Sequence, residues 1–201
     1  MVKDHIINEA TRLFARNGVK GTSLQAVADA VGMRKQSLLY HFKSKGELHA
    51  QVIDRLLAHW KREIPELMGT ASSGRDRFSA ALMALLDFFK EDPDRARLMM
   101  REMMDDPAAA RAGIIEHLRP WSTLLLDYIR MGQQAGLIKQ AVNARSYLIH
   151  LITMVLGAVA VSDVTGAMFE SGSGEADAPD LSELVRMARS ALFENGEELN
   201  Q

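Results

Sequence analysis

The chain of 201 residues has no cysteine. That excludes a disulfide framework, a thiolate metal site and a cysteine nucleophile, and it fits a reducing compartment. Proline is scarce, at five residues, and aromatic side chains make up only 6%. The N-terminal segment is not expected to be a secretory signal: Met1-Val2-Lys3-Asp4-His5 leads into an amphipathic stretch, not a continuous apolar run. Nor is there a membrane-length segment. Leu148 to Val161 is apolar apart from His150 and Thr153, but charges flank it at Arg145 and Asp163. It falls short of the roughly 20 residues a span requires. We expect no membrane partner, a cytoplasmic location, and burial of this segment inside protein. What the chain does have is 47% hydrophobic residues, enough for a core without disulfides or metals.

The net charge of −2 conceals an asymmetry. Residues 1–46 carry eight cations (Lys3, Arg12, Arg16, Lys20, Arg34, Lys35, Lys43 and Lys45) against Asp4, Glu9 and Asp29, a surplus of five. The remainder is therefore acidic, at −7. A basic head on an acidic body suits a head that meets a polyanion.

Helical periodicity runs through almost the whole chain, and no hairpin signal or internal repeat interrupts it. Ile6, Ile7, Ala10, Leu13 and Phe14 share one face of a first helix, with Asn17-Gly18 as its stop. Thr22 with Gln25 reads as a capping box for a short helix to Val31, which Gly32 ends. A third helix spans about Arg34 to Phe42. Ser44 with Glu47 caps a long helix from Lys45 to Met68. Further helices are expected over Arg75 to Lys90, Asp94 to Met104 and Ala108 to Gln134, the last with a bend near Pro120. Asn143 caps the apolar helix, which fades near Thr165. Residues 170–179 read as a mobile loop, and Asp180 or Ser182 opens a final helix stopped by Asn195-Gly196. The expected fold is all-α: an N-terminal three-helix head at 1–46 and a helical body at 47–201.

The head has the parts of a helix-turn-helix. Two short helices meet at a turn where Gly32 supplies positive φ, and Ala28 is small enough for close packing. Val27, Val31 and Leu38 join Leu13 and Phe14 in a shared core. Arg34, Lys35, Gln36, Ser37 and Leu39 are left over at the start of the second of these helices. Arg and Lys bond guanine edges, Gln pairs with adenine, and Leu touches a thymine methyl. We expect these five to contact bases, and Thr22, Ser23, Tyr40, His41, Lys43 and Lys45 to contact phosphate.

Gly21-Thr22-Ser23-Leu24 through Ala28, then Val31-Gly32-Met33, then Leu38-Leu39-Tyr40-His41-Phe42-Lys43-Ser44-Lys45 and Leu48 resembles the DNA-binding head of TetR-family repressors. The resemblance covers about a quarter of the chain. It departs at two places. Such heads commonly have Ser or Thr where Arg34 stands, and an aromatic where Leu39 stands. Arg34 therefore lacks the capping hydroxyl and is free for a base or phosphate contact.

The resemblance implies a body of about six helices that binds a small-molecule effector. It also implies a homodimer whose last two helices join a four-helix bundle. The residues point the same way. The Leu148–Val161 helix is apolar nearly all round and needs burial on more than one side. Its Leu151, Val155 and Ala158, with Leu184, Ala188, Ala191 and Leu192 of the last helix, are the expected interface. Two heads would then meet a pseudo-palindromic double-stranded operator. Methionine marks the body. Met83, Met99, Met100, Met103, Met104 and Met154, with Trp121, Leu125 and Tyr128 on the long helix, are candidates to line an apolar cavity for an apolar or amphipathic ligand. Equally, each of them can be core filler.

Two rivals come from other classes. An enzyme would need a phosphate loop, a His-Glu-x-x-His or a nucleophile constellation, and none is present. Glu102, Asp105, Asp106 and Glu116 lack the paired Glu-x-x-His spacing of a di-metal bundle. No catalytic residue, metal or cofactor is therefore expected. An architectural DNA-binding protein would have a tightly folded body with no cavity, whereas a cavity of several hundred Å3 would favour ligand control.

Overall fold

The computed structural model describes residues 2–70, 74–168 and 181–193. The helices are α1 (Val2–Gly21), α2 (Leu24–Val31), α3 (Lys35–His41), α4 (Lys45–Thr70), α5 (Gly74–Glu91), α6 (Pro93–Asp105), α7 (Pro107–Gln134), α8 (Ala144–Ala160), α9 (Ser162–Ala167) and α10 (Ser182–Leu192). Among the described residues there is no strand beyond one isolated bridge, Ile138 with Phe193. The expected 170–179 loop and the Asn195-Gly196 stop lie outside the described residues. The fold is all-α, with a helix-turn-helix at its N-terminus and a helical domain after it.

Local chemistry accounts for most helix ends. Asp92 caps α6 by accepting from the Asp94 N–H, and Pro93 sits where its missing N–H costs nothing. Asn143 caps α8 by accepting from Ser146. The Ser44 box forms: the Glu47 N–H donates to Ser44 Oγ at 3.0 Å, and the Lys43 N–H donates to the Glu47 carboxylate at 2.8 Å.

Two boundaries differ from expectation. Gly18 does not stop α1; it kinks it, at φ +71°, and the helix resumes to Gly21. Thr22 does not cap α2; Ser23 does, accepting from the Ala26 N–H at 3.0 Å. Thr22 is buried, and its hydroxyl is held by the carbonyls of Leu13 and Gly18.

One continuous core runs from head to body. Ile6, Ala10, Phe14, Val27, Leu38, Phe42, Leu48 and Val52 are fully buried in and below the head, and Leu86, Leu98, Val155 and Leu192 continue it. α6 lies centrally, with its most extensive contacts to α1 on one side and α8 on the other. Tyr147 of α8 donates to the Ala188 carbonyl of α10 at 2.8 Å, and burial holds its phenol protonated well above the usual range. No helix among the described residues is long and apolar enough to cross a membrane.

Candidate functional site

The head's geometry follows from which side chains its core consumes. Leu38 and Phe42 are fully buried, so α3 is pinned by one face. The opposite face is left outside: Arg34, Lys35, Gln36 and Ser37 are exposed, Leu39 is 36% exposed and Tyr40 is 88% exposed. No hydrogen bond or ion pair among the described residues engages the side chains of Arg34, Lys35, Gln36 or Ser37. A row of unpaired donors beside a packed scaffold is what base readout requires. Arg34 stands at the N-cap of α3 in an extended conformation and supplies no side-chain cap.

The turn that presents α3 is built by Gly32, at φ +74°. Its N–H donates to Asp29 O at 3.1 Å and the Met33 N–H to Ala28 O at 2.9 Å, the paired bonds of a Schellman stop. A Cβ at Gly32 would meet nothing within 4 Å, so backbone conformation alone selects glycine there.

The expected phosphate contacts divide. Ser23, Tyr40 and Lys43 are exposed, and His41 is half-buried with its ring edge-on to Tyr40 at 5.7 Å. Two others are corrected. Thr22 is 1% exposed with its hydroxyl bonded inward, so it cannot reach DNA. Lys45 turns its ammonium onto the end of α1, donating to Val19 O at 2.8 Å and Thr22 O at 3.0 Å, with Lys20 O at 3.4 Å. A cation at a helix C-terminus is stabilised by the free carbonyls. Both residues build the α1–α2 joint instead of facing a ligand.

The body contains an apolar cavity of about 170 Å3, bounded by α4, α5, α6, α7 and α8. Leu56, Leu57, Phe89, Met99, Leu125 and Leu156 are among its walls, and Ser122 is the polar residue among the described lining. A second apolar cavity of about 80 Å3 shares Leu85, Leu125, Leu148 and Ile152 with it and reaches Tyr128, whose phenol burial pushes upward in pKa. Met99, Leu125 and Tyr128 thus border these spaces. Met83, Met100, Met103, Met104 and Met154 border neither. Met83 and Met154 point outward, and Met103 and Met104 fall in the last turn of α6, where they are exposed. The Trp121 side chain lies outside the described residues, as do those of Glu116 and His117. Leu56, Leu57 and Ser122 were missed by the sequence reading; an aliphatic pair on α4 carries no signal that distinguishes a cavity wall from a filled core.

The proposed pairing face is also redrawn. Leu151, Val155, Leu184, Ala188 and Leu192 are buried within the subunit's own core, so they are not a surface for a second copy. Ala158 is half-buried and Ala191 is exposed. Among the described residues, apolar side chains left uncovered along α8 and α9 include Ile149, Ile152, Met154, Val161, Val164 and Met168, with Met187 on α10. Gly157 sits among them, with open space where a Cβ would point.

Two of the acidic residues considered for a metal, Glu102 and Asp105, have basic neighbours. Glu102 lies 2.9 Å from His49 Nε2, close but not aligned as a hydrogen bond. Asp105 lies 3.9 Å from Arg101. Among the described residues no three His, Asp or Glu side chains gather as a metal site.

Comparison with known proteins agrees with this geometry. Residues 6–52 match the family model described as bacterial regulatory proteins, tetR family. The chain is similar to the HTH-type transcriptional repressor SCO4008 of Streptomyces coelicolor, 26% identical across 92% of each chain. It is also similar to the HTH-type transcriptional repressor KstR2 of Mycolicibacterium smegmatis, 29% identical over 41% of this chain and 40% of that one. Among solved structures, the ketosteroid transcriptional regulator KstR2 of Mycobacterium tuberculosis shares the fold, with a TM-score of 0.76 over 96% of both chains at 13% identity. So does the fatty acid degradation regulator FadR from Bacillus halodurans, with a TM-score of 0.73 over 94% of this chain and 93% of that one at 17% identity. These relatives are transcriptional regulators, not enzymes.

Proposed function

We propose that this chain, a TetR-family transcriptional regulator, is a homodimeric repressor working in the cytoplasm and released from its operator by a small apolar or amphipathic molecule. The observation that carries the reading is the contrast within α3. Its inner face is fully buried, while Arg34, Lys35, Gln36 and Ser37 stand exposed and unpaired. Base contacts are assigned to these four with Leu39, and phosphate contacts to Ser23, Tyr40, His41 and Lys43. The head is taken as 1–46 and the body as 47–201, with α4 shared between them.

The second copy is assigned to the uncovered stripe of Met154, Val161, Val164 and Met168, because an exposed apolar face of this kind asks for a partner. Gly157, Ala158 and Ala191 favour close helix approach. A two-fold pair would set the α3 helices about 34–36 Å apart, or a multiple, on a pseudo-palindromic site.

The effector is assigned to the apolar cavities. A dry cavity of about 150 Å3 is enough to hold benzene. The larger space here, near 170 Å3, takes a ring or a short hydrocarbon chain, and merging it with its neighbour lengthens the slot. Two structural neighbours are named for fatty acid and ketosteroid regulation, molecules of the same largely apolar class. Release requires that the ligand bind the form of the protein not on DNA more tightly.

The test is fluorescence anisotropy of a labelled operator titrated with neutral alcohols and aromatic hydrocarbons of increasing size. Release by mid-sized probes, abolished in Leu125→Trp, is expected. If no neutral apolar probe changes operator affinity, effector control through this cavity is wrong.

A further inference from the structure

The break in α1 at Gly18 leaves carbonyls that need donors, and three side chains supply them. Thr22 takes Leu13 O and Gly18 O, and Lys45 takes Val19 O and Thr22 O; both belong to the head or its border. The third comes from the body. Arg101 of α6 donates from Nε to Ala15 O at 3.1 Å and from Nη2 to Arg16 O at 3.2 Å. α6 also seats on the kink itself. A Cβ at Gly18 would lie 3.4 Å from Arg101 Nη1 and 3.5 Å from Asp105 Oδ2.

One turn back on α6, Arg97 does the same at the end of α8. Its Nε donates to Ala160 O at 3.1 Å, at the last residue of α8, and its Nη2 pairs with Asp163 of α9 at 2.6 Å. Asp94, one turn before, steadies it at 3.0 Å. Between the two arginines lie Leu98 and Met99, both buried, and Met99 forms part of the larger cavity's wall. α6 thus joins three things in under two turns: the α8–α9 break, the cavity, and the break in α1 that carries the helix-turn-helix.

We infer that α6 is a strut and that Arg101 is a positioning residue setting the tilt of the DNA-reading head on the body. Arginine suits the task because its planar fork spans two successive carbonyls with fixed geometry, and a cation is favoured at a helix C-terminus. A shift of α6 at Met99 then reaches Ala15 and Arg16 directly. The long α4 is a second path, joined to α6 where His49 meets Glu102.

The inference rests on the two-headed reading proposed above, and its test separates the two. The full chain is measured against a duplex with both operator half-sites and against one with a single half-site. Wild type should gain from the second half-site through tethering, and Arg101→Gln should lose about tenfold or more of that gain while keeping single-site affinity within about twofold. Arg101→Lys, which keeps the charge but not the fork, should fall between. An equal loss on both duplexes means that Arg101 only keeps the head folded, and overturns the inference. No loss on either also overturns it. If wild type itself gains nothing from the second half-site, the dimer reading fails, and the strut account with it.

Discussion

Replacing Lys45 by alanine should damage stability far more than DNA contact, the reverse of what its place in a basic run suggests. The ammonium donates to Val19 O at 2.8 Å and to Thr22 O at 3.0 Å. Hydrogen bonds from charged donors contribute about 1.5–3 kcal/mol each. The site is only part-buried, so water replaces some of that, and a net loss of about 2 kcal/mol is expected. For a chain of this size that lowers Tm by about 4–8 °C. Lys43 is the control. Its side chain is exposed, and its backbone N–H alone is engaged, by Glu47. Lys43→Ala should leave Tm within about 1 °C, because exposed substitutions away from caps and cores change stability little. It should instead flatten the plot of log affinity against log salt, by about 0.9 per head and so about 1.8 for two heads. Thermal denaturation and salt-titrated operator binding of the two variants decide the matter. If Lys45→Ala melts like wild type and flattens the salt plot as Lys43→Ala does, Lys45 is a phosphate ligand and the joint is held by something else.

Other outcomes follow from the same geometry. Gln36→Ala should cost roughly 1–3 kcal/mol at one base position and leave the salt dependence unchanged; binding to a panel of single-base operator variants measures this. Gly32→Ala should lower stability by about 1 kcal/mol through backbone strain alone, since its φ is +74° and a Cβ has free space; chemical denaturation reads the loss. Val164→Glu, at a position 69% exposed, should abolish self-association with helicity intact, as seen by sedimentation and circular dichroism. A dimer that persists in that variant moves the interface elsewhere.

Where the chemistry is local, the sequence carried it. The Ser44-Glu47 box, the Asn143 cap and the positive φ at Gly32 each depend on residues within a few positions. So does the outward face of α3, because the spacing of Leu38 and Phe42 leaves only one side for solvent. Where long-range partners decide, it did not. Thr22 and Ser23 are neighbouring hydroxyls with equal claim to the α2 cap. Only the approach of Leu13 O and Gly18 O selects Ser23. Lys45 looks like one more cation in a basic head, and the carbonyls it holds lie more than twenty residues away. The stripe on α10 announces burial but not by what: Leu184, Ala188 and Leu192 pack into their own subunit. Methionine spacing was equally ambiguous. Met99 and Met103 share a helical face, yet only Met99, in mid-helix, is covered. Arg97 and Arg101 went unnoticed because their partners are backbone carbonyls of distant helix ends, for which no sequence pattern exists.

The central claim is that α3 reads bases. Selection of bound duplexes from a random pool tests it most directly, run in parallel with wild type and Gln36→Ala. The account predicts an inverted repeat for wild type, with half-sites a helical turn or a multiple apart, and relaxed preference at one position per half-site for the variant. Enrichment of no common sequence, or an identical one in both selections, would contradict it.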